Sequence, residues 1–356
     1  MTLWSGETVG CAEQDAIASI RVRSRSALCK LLVDPDLQFG RCYVRGDLEV
    51  DGPLADLLAA AYSGASSHTS WRLRLSQLLG LYHRAIGAER ARRNARYHYE
   101  VGEEFYRLWL DPTLTYSCAY FPSEDTTLEQ AQIAKLDLVC RKLGLEAGQH
   151  VIEAGSGWGS LALYMAENYG VRVTAYNTAS AQVAYARRLA AERGLSDRVT
   201  FVGADYREIR GRCDRFVAVG MLEHVGRKHY RLLGEIIARS LEPHGRGLLH
   251  TIGRGRPRPM NPWIREAIFP GGHAPSVSEI MAVLEPNDLT VCDLENLRPH
   301  YARTLECWLE RFEAVAEQVE KRYGSEFTRM WRLYLAGAIA SFRTGWLDLY
   351  QVVFVP

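Results

Sequence analysis

Val151-Ile152-Glu153-Ala154-Gly155-Ser156-Gly157-Trp158-Gly159 opens as an apolar strand and closes on three glycines at alternate positions, where a helix begins. A turn of this kind lets backbone amides approach a ligand with no Cβ in the way, and the following helix offers its N-terminus to that ligand. It suits a nucleotide-like cofactor. Glycine turns alone do not separate one cofactor from another, since an NAD site uses related geometry. An NAD site, however, places a carboxylate on the ribose at the end of the second strand, about 20 residues on. Here that strand ends Ala175-Tyr176-Asn177, without an acid, so NAD fits poorly.

Outward from the loop the rhythm is strand, turn, helix. Val171–Ala175, Val199–Val202, Phe216–Gly220 and Leu248-Leu249-His250 are further strand candidates. Alternating β and α elements predict a parallel sheet wound by right-handed crossovers, an α/β fold. Toward the C-terminus Leu305, Trp308, Leu309, Phe312, Ala316 and Val319 share one helical face and are expected in the core. The N-terminal part differs in character. It reads as a small α+β unit, with an alternating stretch at Ile20–Val22, an apolar run Ala27–Val33, a strand-like Cys42-Tyr43-Val44, and a helix Leu54–Tyr62 after Asp51-Gly52-Pro53. Residues 64–70, rich in Ser and Gly, read as a linker. The predicted division is 1–70, the small α+β unit with its linker, and 71–356, the α/β domain.

With 356 residues the chain is long enough for two domains and a sizeable core, and 47% hydrophobic and 24% charged residues are ordinary globular usage. A net charge of +1 gives no reason to expect nucleic acid, so electrostatic partners must be sought in local clusters. One such cluster is Arg90, Arg92, Arg93 and Arg96, readable either as a solvated helix face or as a docking patch. The eight cysteines include no CxxC pair and no histidine at zinc spacing, which fits reduced thiols and no metal. No apolar run is long enough to span a bilayer, and Met1–Gln14 carries no leader-like pattern. The expectation is a cytoplasmic protein, meeting any lipid from outside the membrane.

Several longer stretches resemble the cyclopropane fatty acid synthases and the related mycolic acid methyltransferases. They are Tyr97–Tyr99 through Phe105–Leu110, Leu114–Phe121, the glycine loop, Gly220–Gly226, Leu249–Gly253, Ile268–Gly272, Asn296–Tyr301, Arg329–Tyr334 and Phe342–Gly345. Gly46-Asp47-Leu48-Glu49-Val50 is similar to the family's accessory domain. Their order and separation, more than any one of them, carry the resemblance. It implies a Rossmann-like S-adenosylmethionine methyltransferase sheet with a small N-terminal α+β accessory domain, 71–356 being the catalytic domain and 1–70 the accessory, lipid-binding domain with its linker.

Carried over position by position, the resemblance assigns S-adenosylmethionine to Tyr116, Ser117, Glu153, the turn Gly155, Gly157 and Gly159, Asn177, Gln182, Asp205 and Tyr206. A sulfonium suits aromatic or anionic neighbours, while ribose and adenine need polar groups at the ends of the following strands. The resemblance further implies a bicarbonate ion held by Cys118, Glu223, His250, Ile252 and Tyr301, with Glu223, His250, Tyr301 and Cys118 as the catalytic set. Singly, Cys118, His250 and Tyr301 each read as ordinary buried residues; jointly, at the family's positions, they read as a site. His224 and His273 are read as structural. A nucleophilic Cys118 with His250 as base gains nothing, because a sulfonium methyl is already activated. Three positions depart from the family pattern: Glu153 for Asp, Ser156 for Cys and Asn177 for Thr.

The implied reaction is cyclopropanation of a cis-unsaturated acyl chain of a phospholipid. Simple carbon methylation or methylene formation on an acyl or specialised-metabolite substrate is the second reading, and a catalytically silent lipid-binding protein the third. The implied partners are an unsaturated phospholipid or acyl substrate and a transient membrane surface at the inner face, with a homodimer admitted as an oligomeric state.

Overall fold

The computed structural model describes residues 1–10, 16–64 and 102–356. Arg90, Arg92, Arg93, Arg96 and the stretch Tyr97–Tyr99 lie outside the described residues. The chain divides into two compact units: one of Met1–Arg84, Pro259–Pro270 and Leu305–Trp346, the other of Ala85–Arg258, Gly271–Thr304 and Leu347–Pro356.

In the first unit, β1 (Thr2–Leu3), β2 (Ser19–Val22) and β3 (Leu48–Asp51) form a three-stranded sheet, β2 pairing with β3 antiparallel. Cys42-Tyr43-Val44 is not a strand. It belongs to the helix Pro35–Arg45, because Asp34 accepts the Leu37 N–H at 3.3 Å, Pro35 occupies the first turn, and Gly46 ends the helix in the left-handed conformation. Local β propensity yields here to two strong end signals, and the strand forms a few residues later. The same helix turns Gly40, Cys42 and Tyr43 inward, where the Arg329 guanidinium lies 4.3 Å over the Tyr43 ring. Leu305, Trp308, Phe312 and Val319 are buried, on two successive helices, Arg298–Ala314 and Ala316–Tyr323.

The second unit is built on a seven-stranded sheet. Its strands are β4 (His150–Ala154), β5 (Arg172–Tyr176), β6 (Val199–Val202), β7 (Cys213–Val219), β8 (Leu241–Gly253), β9 (Thr290–Asn296) and β10 (Asp348–Val355), in the order β6-β5-β4-β7-β8-β10-β9. The β6-β5-β4-β7-β8 run is parallel, and β10 enters antiparallel between β8 and β9. Period-two alternation feeds two apolar layers. Val151, Val217, Leu248 and Val353 face one with Leu136, Val139, Leu161 and Met165, while Ile152, Phe216, Leu249 and Phe354 face the other with Leu233, Ile237 and Ile280. Strand order reverses between β4 and β7, the switch point outside which open α/β sheets bind ligands. The glycine loop leaves β4 at this point. Among the described residues no helix is long and apolar enough to cross a membrane.

Candidate active site

The three glycines do different work. All have positive φ, at +90°, +51° and +91° for Gly155, Gly157 and Gly159. Gly155 and Ser156 both donate their N–H to the Tyr176 carbonyl, at 2.8 and 3.1 Å, which ties the turn to the end of β5. A Cβ at Gly159 would meet Ala186 Cβ and Phe201 Cζ at 2.8 Å, whereas one at Gly157 would meet nothing within 4 Å. Gly157 therefore faces open space and Gly159 the packed interior. That space is a cavity of about 180 Å³, lined by Tyr116, Ser117, Glu153, Gly155, Gly157, Asn177, Gln182, Asp205 and Tyr206 among others. Gly159 does not line it.

The strand ends supply polar groups. Asn177, just past β5, donates its amide to the Gly157 carbonyl at 3.0 Å and to Gln182 Oε1 at 2.9 Å, while its own Oδ1 accepts the Ala179 N–H. Past β6, Asp205 caps the single turn Tyr206–Glu208 and lies 3.4 Å from the Arg207 guanidinium, which in turn covers the Tyr206 ring. On the opposite wall Asp111 accepts the N–H groups of Thr113 and Thr115 and the Thr113 hydroxyl. It thereby folds a tight loop in which Leu114, buried, takes φ +54°. A branched residue in this region costs about 1–2 kcal/mol, the kind of strain that surrounding structure holds at binding sites. Tyr116 closes this wall against Tyr106 and Trp109 at 5.3 and 5.7 Å between ring centroids, and Trp158 packs on Tyr106 and Tyr185. An aromatic wall of this kind attracts a cation.

None of the second group of predicted residues lines this cavity; Cys118 and Glu223 adjoin in sequence residues that do, and His250 is paired in register with Val219, which does. Cys118 follows Ser117 and is fully buried; burial pushes its thiol up, so it stays protonated and serves as a donor, here to the Ala119 carbonyl at 3.1 Å. Glu223 stands on the short helix Leu222–Val225, whose neighbours Met221, His224 and Val225 line the cavity. Its Oε1 accepts the Ile252 N–H at 2.7 Å and its Oε2 is buried without a partner. The Ile252 amide is thus committed to Glu223. Burial pushes the Glu223 carboxyl up to about 7, against the pull of backbone N–H bonds, Ile252's among them. His250, on β8, is paired in register with Gln351 on β10; the Gln351 amide nitrogen lies 3.1 Å from Nδ1, and Nε2 is buried without a partner. Donation into Nδ1 leaves the ring proton on Nε2, and burial pushes the ring down to about 3, so His250 is a neutral Nε2–H donor. Tyr301, buried, stands on the helix whose Thr304 accepts the Ala119 N–H at 3.0 Å. His224 is driven down to about 4 by burial and lines the cavity, while His273 lies 3.1 Å from Glu279.

The sequence reading missed Lys135, Trp158 and Gln351. Lys135 lies in the helix Leu128–Leu143 among apolar residues, and its burial on the cavity wall leaves no trace in a helix of ordinary charge pattern. Trp158 lies inside the glycine loop, and its packing on Tyr106 and Tyr185 has no signal in the local sequence.

The donor set fits S-adenosylmethionine: a glycine turn, polar groups past two successive strands, an aromatic wall, and the buried Glu153 Oε2 without a partner. Fold and cavity together define an S-adenosylmethionine-dependent methyltransferase, and solved structures of that class share the fold. A mycolic acid cyclopropane synthase complexed with SAH and CTAB is 34% identical, with a TM-score of 0.71 over 74% of this chain and 98% of that one. The profile of the mycolic acid cyclopropane synthetase family matches residues 87–352, and the chain belongs to that family. A domain of unknown function (DUF7884) matches residues 1–71. The cyclopropane-fatty-acyl-phospholipid synthase of Escherichia coli K12 is 36% identical over 95% of this chain and 88% of its own length. A probable fatty acid methyltransferase of Pseudomonas putida is 34% identical over 100% of this chain and 91% of its own. The protein is a methyltransferase of the cyclopropane synthase type.

Proposed function

We propose that the protein converts the cis double bond of an unsaturated phospholipid acyl chain to a cyclopropane ring, with a bound bicarbonate ion as the base. S-adenosylmethionine, when bound, supplies an electrophilic methyl, and bicarbonate supplies a site for the proton that ring closure releases. The chain's own residues align and shield. Tyr116, Trp158 and the loop Gly155–Gly157 hold the cationic end against an aromatic wall and keep water out. The observation that carries the reading is two buried atoms left without partners, Glu223 Oε2 and His250 Nε2, an acceptor and a donor of the kind an anion bearing one hydrogen requires, with Glu223 bonded to Ile252 on the strand that carries His250. Glu223 orients that hydrogen and His250 donates to an oxygen, with Cys118 and Tyr301 as further donors.

A phospholipid substrate is favoured by the reach of the likeness. The Escherichia coli phospholipid synthase matches 95% of the chain, whereas the mycolic acid cyclopropane synthase structure covers 74%. Peripheral membrane contact gains support from the first unit, where Trp4, Ile17 and Leu32 are exposed, Leu32 at 73%. Such side chains favour an interface where they adjoin one another in a contiguous patch.

The test is turnover with and without bicarbonate. Glu223→Gln and His250→Ala should each lose roughly two to four orders of magnitude in kcat with S-adenosylhomocysteine affinity nearly unchanged, since both act on proton removal. Rigorously degassed enzyme should be inactive and recover on adding bicarbonate; full activity in its absence would discard the bound-anion base.

A further inference from the structure

Lys135 is 1% exposed, in the middle of the helix Leu128–Leu143. An ammonium carries three donors and loses several kcal/mol on leaving water unless an anion and hydrogen bonds replace the solvent. Nζ donates to the Ser117 hydroxyl oxygen at 3.0 Å, and Lys135 forms no ion pair with any described residue. Asp111 is the strongest negative influence on it, but that carboxylate is occupied by the Thr113 and Thr115 N–H groups and the Thr113 hydroxyl. A buried cation is thus held beside the cavity with only one neutral acceptor bonded to it.

The surroundings are built to hold that cation in place. One turn before it, Gln132 donates its amide to the carbonyls of Thr115 and Ser117, at 3.2 and 2.9 Å, which fixes the segment carrying the Ser117 hydroxyl. Because Ser117 Oγ accepts from Lys135, its own hydrogen is available to donate. Lys135, Ser117 and Glu153 all line the cavity, and Glu153 is 2% exposed with Oε2 bearing no partner. Burial raises the Glu153 carboxyl and lowers the Lys135 ammonium, each shift opposed by the other's charge. One wall therefore presents a buried cation with an adjacent hydroxyl, and a buried acid with a spare oxygen.

We propose that Lys135 and Ser117 form the subsite for the α-carboxylate of S-adenosylmethionine, with Glu153 receiving its α-ammonium. The proposal rests on the cofactor reading above and adds to it a residue that recognises the amino-acid end. A free α-amino acid group is a zwitterion, and the wall opposes its carboxylate with the Lys135 ammonium and its ammonium with the unpartnered Glu153 carboxyl oxygen. Discrimination between the cofactor and breakdown products lacking the carboxylate then falls to Lys135.

Calorimetry on the full-length protein with S-adenosylmethionine and with decarboxylated S-adenosylmethionine isolates the carboxylate. A charge-assisted pair of this kind makes wild-type protein bind the former about 50-fold more tightly, and Lys135→Met removes that difference while leaving the decarboxylated ligand within about threefold. Ser117→Ala, which keeps the lysine, should cost roughly tenfold for S-adenosylmethionine alone. This smaller change carries the test if Lys135→Met does not fold. Equal losses for both ligands in either folded variant would make the pair a scaffold for the loop and overturn the proposal. So would wild-type protein that binds both ligands alike. Failure of wild-type protein to bind S-adenosylmethionine at all would instead overturn the cofactor reading, and this proposal with it.

Discussion

At the scale of single residues, two glycines of one motif, Gly157 and Gly159, do two separable things. Gly157→Val puts a branched side chain at φ +51° and into the cavity, so S-adenosylhomocysteine binding should fall below detection while the fold is retained. Gly159→Ala drives a methyl against Ala186 and Phe201, and should lower the melting temperature by several degrees through overpacking of about 1–3 kcal/mol. Unchanged affinity in folded Gly157→Val would take the loop out of the site. Glu223 gives the pH dependence. On the proposed mechanism it acts as a carboxylate, and burial pushes its carboxyl up to about 7, so turnover should decline as pH falls through 7 and level off above it. His250, neutral down to about 3, adds no limb of its own. The measurement is a pH profile of kcat at constant bicarbonate ion concentration, in which Glu223→Gln, already slow, loses the acid limb. An acid limb that survives in Glu223→Gln would assign it elsewhere.

At the scale of elements, the parallel strands were legible and the antiparallel end was not. β4, β5, β6 and β7 are apolar runs set between turn signals, and the chain winds outward from β4 to β6 before returning to β7 on β4's other side. β8 runs Leu241–Gly253, well beyond the three residues read from sequence. β10 is buried along nearly its whole length and was not marked, although Leu349-Tyr350-Gln351-Val352-Val353-Phe354 is rich in β-formers; its polar Gln351 has a meaning only beside β8. Cys42–Val44 failed in the opposite sense, local strand character losing to the caps at Asp34 and Gly46. Pairing of β8 with β10 leads to a prediction at this scale. Gln351→Leu removes the donor to His250 Nδ1 and leaves the imidazole tautomer unfixed. It should lower kcat about tenfold with S-adenosylhomocysteine affinity within twofold, and Gln351→Asn should not restore it, being one methylene too short. A parallel loss of cofactor affinity would mean that the strand pair had simply loosened.

At the scale of the whole molecule, the sequence carried the fold class and nine of the residues that line the cavity, because glycine turns, strand ends and family-like stretches are local features. Lys135 was invisible because a lysine in an amphipathic helix reads as solvated surface, and only the packing of Leu128–Leu143 buries it. The division of the chain was likewise non-local: the first unit gathers Pro259–Pro270 and Leu305–Trp346 along with the N-terminal residues, and no linker composition announces that. The departures at Glu153, Ser156 and Asn177 all fall on the cavity wall, where they bear on the cofactor before the product. The product is read directly by incubating purified protein with S-adenosylmethionine, bicarbonate and vesicles of a cis-monounsaturated phospholipid, then analysing the recovered acyl chains by mass spectrometry and proton NMR. Cyclopropanation gives one added methylene, loss of the olefinic resonances and the high-field signals of a cyclopropane ring. A methyl-branched or methylene-bearing chain, or unaltered lipid despite S-adenosylmethionine binding, would contradict it.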